Sequence, residues 1–408
     1  MRVLWRAMNE KRVLTILFVT LLLDVIGIGI LIPVIPALFT NPESASFMLA
    51  GYSVGAQYFI AGLMTALFGV MQFLAAPLLG DLSDTYGRKK LLTLGVGVLA
   101  VAQLIFAAGI ALLSLPLLFA SRIVAGVAGA NFSIVQASIA DITKPENRAR
   151  NFGLIGGAFG LGFILGPLIG GYIVALTDNP ALPFLFAGVL GIFNLLFITM
   201  MLPETHLVRT VRSKFSIFKA FHNIKVAYLD VDTRPLYTVS FLQMLGFGIY
   251  TSFSAVFLSY RYGFTEADTG TYFAVVGICI VLSQLVVVRF ASTRYSERQV
   301  LRFALPLLAS VLIVEAFVYS VWLLYLLIPF TAAAVGLIST NLPALISKGV
   351  SASRQGAALG INGSLQALSQ GIAPILASTV AAFVGIPIIF IMAGLLVFLA
   401  LWMLPWRV

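Results

Sequence analysis

Three full charges fall inside apolar runs of this chain: Asp24, Arg122 and Glu315. A lone charge at the centre of a bilayer costs about 2.5–3.5 kcal/mol on insertion scales, so each is expected to face a partner or a water-filled cavity. A carboxylate and a guanidinium close together can perform reversible proton binding, because exchanging the guanidinium for a substrate changes the proton affinity of the carboxylate. At 1.5 Å per residue, Asp24 lies about 17 Å from the inner end of its run and Arg122 about 27 Å, a difference of about one extended arginine side chain plus a water. A static Asp24–Arg122 brace, or two separate cavity groups, would account for the same residues. Glu315 lies near the outer end of its run, where it either joins the proton-coupling set or snorkels to the headgroups.

Neutral polar residues in apolar runs form a second set. Asn131, Gln136, Gln243, Tyr250, Asn341 and Gln366 are candidates for lining a substrate cavity, and Gln57, Asn194, Gln284, Asn362 and Gln370 have the same character. Interhelical hydrogen bonding, worth about 0.6 kcal/mol on average, is the alternative reading of each. Metal and nucleophile chemistry have little to work with. Cys279 is the single cysteine, and the two histidines, His206 and His222, lie in a polar connector, so neither a metal site nor a catalytic histidine is expected in the membrane. Without a phosphate-binding glycine loop and its lysine, ATP is not the expected energy source.

The elements that must hold these groups are membrane spans. Of 408 residues, 60% are apolar and only 10% charged, which excludes a soluble enzyme. Twelve spans of about 22 residues leave room only for short loops and one connector. Candidate spans run over 13–38, 53–79, 90–113, 116–140, 149–175, 183–203, 235–260, 269–290, 299–318, 320–346, 355–382 and 385–405. The expected fold is an all-α polytopic membrane protein, with twelve helices in two pseudo-symmetric six-helix bundles over 1–203 and 235–408, joined by a connector over 204–234. The first run carries Asp24 and no small-residue cleavage site, so it reads as a retained span rather than a leader.

The net charge of +10 gathers in alternate loops: Arg2, Arg6, Lys11 and Arg12, then Arg88, Lys89 and Lys90, then Lys144, Arg148 and Arg150, and the connector. The opposite loops hold only Arg261. This asymmetry predicts cytoplasmic termini and a cytoplasmic connector that can lie on an anionic leaflet, so the basic charge calls for lipid rather than nucleic acid. Internal repetition supports two halves: Gly153 and Pro167 recur as Gly360 and Pro374 at an offset of 207, and Tyr86-Gly87-Arg88 is echoed by Tyr295-Ser296-Glu297 at an offset of 209. Transporters built this way place substrate at mid-membrane between the repeats. Gly153, Gly157, Gly162, Gly166 and Gly170 with Pro167 form a bent small-residue seam, suited to close helix packing or to rocking.

Several strings together resemble the major facilitator superfamily. Gly80-Asp81-Leu-Ser-Asp84-Thr-Tyr-Gly87-Arg88-Lys-Lys90 is similar to its loop between spans 2 and 3, and Arg122-Ile-Val-Ala-Gly126 resembles the span-4 motif of its proton-coupled members. Gly157 followed by Gly166-Pro167-Leu-Ile-Gly170-Gly171 resembles the span-5 motif of the drug/proton antiporters. Leu23-Asp24-Val-Ile-Gly27-Ile-Gly29 with Pro33 and Pro36, and Pro203-Glu204-Thr205 after span 6, are similar to the tetracycline/proton antiporters. The resemblance implies alternating access driven by the proton gradient without a cofactor, Asp24 as protonation site and Arg122 as its electrostatic partner. It also implies that Asp84 and Arg88 steady one conformation, while Gly80 and Gly87 permit close packing and turning. The implied partners are protons, a small organic substrate such as a drug, siderophore or other metabolite, and the lipid of a bacterial inner membrane, with the protein acting as a monomer. Where those antiporters carry a span-3 acid this chain has Ala102-Gln103, their span-8 histidine has no counterpart, and Glu315 is displaced along span 9. The expected substrate is therefore not a tetracycline–metal complex. Proton-coupled uptake and a non-transporting sensor or assembly subunit are the competing readings.

Overall fold

A computed structural model describes residues 2–44, 46–143, 148–205, 219–229, 233–351 and 355–404. Lys144, His206, Arg209, Arg212, Lys214, Arg354 and Arg407 lie outside the described residues, as do the side chains of Arg2, Arg6, Arg148 and Arg150.

The first half contains α1 (Arg2–Gly29), α2 (Leu31–Phe39), α3 (Val54–Tyr86), α4 (Arg88–Ala111), α5 (Leu115–Ala128), α6 (Asn131–Ile142), α7 (Arg148–Thr177) and α8 (Leu182–Met201). A short helix, α9 (Lys219–Leu229), belongs to the connector. The second half contains α10 (Arg234–Tyr262), α11 (Glu266–Leu282), α12 (Arg289–Arg294), α13 (Glu297–Glu315), α14 (Val321–Lys348), α15 (Gln355–Phe383) and α16 (Ile386–Met403). Three spans are broken helices. Pro33 cannot donate back to Gly29, so α1 and α2 form one bent span over Glu10–Phe39. Helices α5 and α6 split at Gly129-Ala130, and a π-helical turn, Ser283–Val288, joins α11 to α12.

Among the described residues, eleven segments are long and apolar enough to cross a membrane, against twelve expected. The difference is α13. Glu297, Arg298 and Arg302 crowd one end and Glu315 the other, yet Leu301, Leu305, Leu308 and Leu312 are fully buried between α14 and α16. It completes the second bundle as an amphipathic member rather than a uniformly apolar one. Large apolar side chains such as Trp322, Phe383 and Trp402 project outward, as a lipid solvent requires.

The halves meet along two antiparallel pairs, α3 with α15 and α7 with α11. Each pair is zipped by glycines that leave no room for a Cβ. A Cβ on Gly62 would lie 2.6 Å from the Pro374 carbonyl oxygen, and one on Gly270 would lie 2.6 Å from that of Pro167. The repeated prolines therefore occupy equivalent contacts in the two pairs. Further down α3 and α15, Gly69 meets the backbone of Gln370, and Gly371 meets that of Val70. On the other pair Gly277 packs on Ile164, and a Cβ on Gly160 would be 3.4 Å from Val281.

Both zippers end there. Among the described residues, the next glycines on the same helix faces, Gly153 and Gly156 on α7 and Gly360 and Gly363 on α15, have no neighbour within 4 Å of a Cβ position, and neither does Gly80 on α3. These open turns point to the end of the molecule that carries the Gly87 loop and α9, here called the basic face. The opposite, far face is shut: α2 reaches across to α10 and α11, Tyr58 packs edge-on against Phe253, and Tyr172 bonds Thr271 at 3.4 Å. The molecule is open at the basic face and closed at the far face.

Candidate functional site: a carboxylate and a guanidinium in the first bundle

Helix α1 carries Asp24 past a polar patch of the first bundle. Asn131, the first residue of α6, donates its Nδ2 to one Asp24 oxygen at 3.5 Å, and Asn194 of α8 donates to the other at 3.4 Å. Asn131 fits because Gly95 of α4 lacks a side chain where its amide sits. A cavity with room for about one water adjoins Asp24, Gly27, Gln103 and Gly191. The Asp24 carboxylate thus has two neutral amide donors and lines a water-sized cavity, and no basic side chain forms an ion pair with it among the described residues.

Arg122 of α5 turns elsewhere. It is buried, its guanidinium stands 4.3 Å from the Phe106 ring centre, and Nη2 donates to Gln103 Oε1 at 3.4 Å and Ser121 Oγ at 3.2 Å. Gln103 in turn donates to the Gly27 carbonyl at 3.0 Å, one turn beyond Asp24. Asp24 and Arg122 make no direct contact among the described residues, so of the arrangements open to the sequence the static brace is not the one formed in this conformation. Height along the helix places the two groups compatibly, but helix rotation aims Arg122 at α4, and Gln103 relays between Arg122 and α1. Among the described residues Arg122 Nε has no hydrogen-bond partner and no carboxylate forms an ion pair with the guanidinium, a costly arrangement for a buried cation. Gln103, noted in the sequence only as a departure from an acidic position, is the residue that joins the site together.

Glu315 does not snorkel. It is 1% exposed at the end of α13, facing Tyr250 of α10 and Thr331 of α14, and its Oε1 lacks a hydrogen-bond partner among the described residues. Tyr250 meets Tyr272 at 3.5 Å between hydroxyls, while Arg261 spans the end of α13 through the carbonyls of Ala316 and Val318. Glu315 is therefore far from Asp24 in topology, in the other bundle and at its far-face end.

The cavity candidates divide. Gln136 and Gln366 are exposed on the basic-face side of their helices. Asn131, Gln243, Tyr250 and Asn341 are buried within bundles, and Asn341 spends its amide on the Leu337 carbonyl at 2.8 Å.

The Gly87 loop is a charge knot. Gly87 adopts φ +100°, a conformation that suits glycine, and starts α4. Arg88 binds Asp84 at 2.5 Å, Asp141 of α6 at 3.1 Å, and Ser83. The Glu204 carboxylate accepts from the Arg88 backbone N–H at 2.9 Å and occupies the space beside Gly87, a negative group at a helix N-terminus. Asp141 and Glu204 join this loop only through folding, which brings the ends of α6 and α8 to it. Gly80 makes no close approach in this conformation. The span-5 glycines do: Gly166 lies against Gly29 and Ile26 of α1, Gly170 against Ile30, and Gly171 against Glu266 of α11, while Gly157 has only an ordinary contact with Phe18. Pro167 bends α7 between α1 and α11.

Comparison with known proteins identifies the family. Its sequence is 30% identical over 383 residues to the class C tetracycline resistance protein of Escherichia coli, covering 92% of this chain and 91% of that one. It is 26% identical over 381 residues to multidrug resistance protein 1 of Bacillus subtilis (strain 168), covering 90% of each. A crystal structure of the human organic anion transporter MFSD10 (TETRAN) superposes with a TM-score of 0.74 at 25% identity, covering 97% of this chain and 99% of the other. The family profile described as Major Facilitator Superfamily matches residues 17–313 and 236–408. The chain is a multi-pass membrane transporter, not an enzyme, and belongs to the major facilitator superfamily.

Proposed function

We propose that this transporter exports a small organic molecule in exchange for protons, by rocking its two bundles about the α3–α15 and α7–α11 zippers. The observation that carries the reading is Asp24, a membrane-embedded carboxylate held by two amides and no cation, beside a cavity. Such a group can take up and release a proton without breaking an ion pair, and its two amide donors fit the ionised form. Arg122 acts on it through Gln103 and the Gly27 carbonyl, so substrate binding near Arg122 would be felt on α1. Glu315 is the second proton-coupling candidate, in the opposite bundle.

With the basic loops in the cytoplasm, the open face is the cytoplasmic one, where Gln136 and Gln366 offer neutral hydrogen-bonding groups to an entering molecule. Export is favoured over uptake because the relatives are named for tetracycline and multidrug resistance. A drug, siderophore or other secreted metabolite fits this reading, and the organic anion transporter MFSD10 makes anions part of the test panel. On this reading the protein works as a monomer in a bacterial inner membrane. Everted vesicles, acidified inside and reporting lumenal pH with a dye, test the reading. Compound-dependent proton release supports exchange, whereas compound entry that never moves protons would overturn it.

A further inference from the structure

Helix α9 sits at the fork of one zipper. Ala220 is fully buried in a cluster with Phe73 of α3 and Ala367 of α15, and Leu74, Ile224 and Leu368 pack around it. The Phe221 ring, half-exposed at the edge of this cluster, stands edge-on to Phe73, 5.4 Å between centres at 89°. One turn toward the far face, Gly69 and Gly371 bring the α3 and α15 backbones into contact. Toward the basic face, Gly80, Gly360 and Gly363 look into open space. The connector helix therefore fills the point where α3 and α15 part, touching both halves with one apolar face. His222, Lys225 and Tyr228 lie on its exposed side, and the Arg234 guanidinium at the start of α10 stands 4.7 Å from the Tyr228 ring centre, tying α9 to the second half.

We infer that α9 is a wedge, with Phe221, Ala220 and Ile224 as the residues that hold the basic face open. Closing that face extends the α3–α15 zipper from Gly69 and Gly371 toward Gly80 and Gly363, and the apolar side chains of α9 occupy the space the next turns must enter. Transport then includes a step in which α9 leaves the fork, so the connector is a moving part of the gate rather than a passive tether. The closed state loses these apolar contacts and the open state keeps them, a differential interaction that sets the balance between the two. The inference rests on alternating access alone, so failure of proton exchange would leave it standing.

The test is a distance measurement on the full chain in liposomes, with Cys279→Ser removing the native thiol. One spin-label pair at Lys90→Cys and Leu359→Cys reads the basic face, and a second at Leu176→Cys and Tyr260→Cys reads the far face. Phe221→Ala should raise the short-distance population of the first pair about tenfold, the scale of losing one ring contact and its buried surface in a two-state equilibrium. Ala220→Asp, which places a charge in the cluster, should act in the same direction, the far-face pair should lengthen in step, and Phe221→Leu should restore the original distribution. Unchanged distributions in both disruptive variants would overturn the inference. So would broadening of the first pair without lengthening of the second, which would mean local loosening.

Discussion

The contact of Gly270 with Pro167 gives the sharpest quantitative prediction. Adding one methyl, Gly270→Ala, puts a Cβ 2.6 Å from the Pro167 carbonyl oxygen and 3.3 Å from the Leu168 Cα. To restore an ordinary separation of about 3.4 Å, the α7 and α11 backbones must part by about 0.8 Å. Overpacking of this kind costs about 1–3 kcal/mol. The clash exists only while the far face is zipped, so the whole cost falls on the present conformation. The ratio of far-face-open to far-face-closed molecules should therefore rise by about 5- to 150-fold. Gly363→Ala supplies a contrast of opposite sign. Its Cβ meets nothing within 4 Å here and would be crowded only once the basic face closes. Spin labels at Leu176→Cys and Tyr260→Cys, in a Cys279→Ser background, should report the far face opening in Gly270→Ala and staying shut in Gly363→Ala. If both substitutions move the distances the same way, or if Gly270→Ala leaves them alone, the two-zipper description is wrong.

Three further outcomes are expected. Gln103→Leu removes both the Arg122 contact and the bond to the Gly27 carbonyl, and substrate-driven transport should fall at least about tenfold with membrane insertion unchanged, as scored by turnover per inserted protein. Glu204→Ala removes a charged acceptor from the Arg88 backbone N–H, and should cost about 1 kcal/mol of stability, seen as a lower unfolding temperature in detergent. The effect should be weaker for Glu204→Gln, which keeps an acceptor.

Much of the architecture is legible along the chain because hydropathy reports span length and the charge of loops separates the faces. The α13 discrepancy shows the limit of that signal: a helix inside a bundle can carry Arg298 and Arg302 near one end while burying a face built on Leu301, Leu305, Leu308 and Leu312. The motif residues mark where chemistry lies, and spacing gives their height in the membrane. Spacing does not fix rotation about each helix axis. That is why Asp24 meets Asn131 and Asn194 rather than Arg122, and why Glu315 turns inward to Tyr250 instead of outward to headgroups. The conformational state is equally invisible in one sequence. Gly80, Gly153 and Gly360 read as packing positions, yet all three face open space because the molecule is open at the end where they sit.

The central claim, that Asp24 carries the coupled proton, is tested most directly by replacing it with its uncharged isostere. In everted vesicles acidified inside, a compound that triggers proton release from the wild type should trigger none from Asp24→Asn, although the variant inserts to the same level and still binds the compound. Asp24→Glu, which keeps a titrating carboxylate, should retain part of the response. Proton release by Asp24→Asn equal to that of the wild type would contradict the account and move the coupling site to Glu315 or elsewhere.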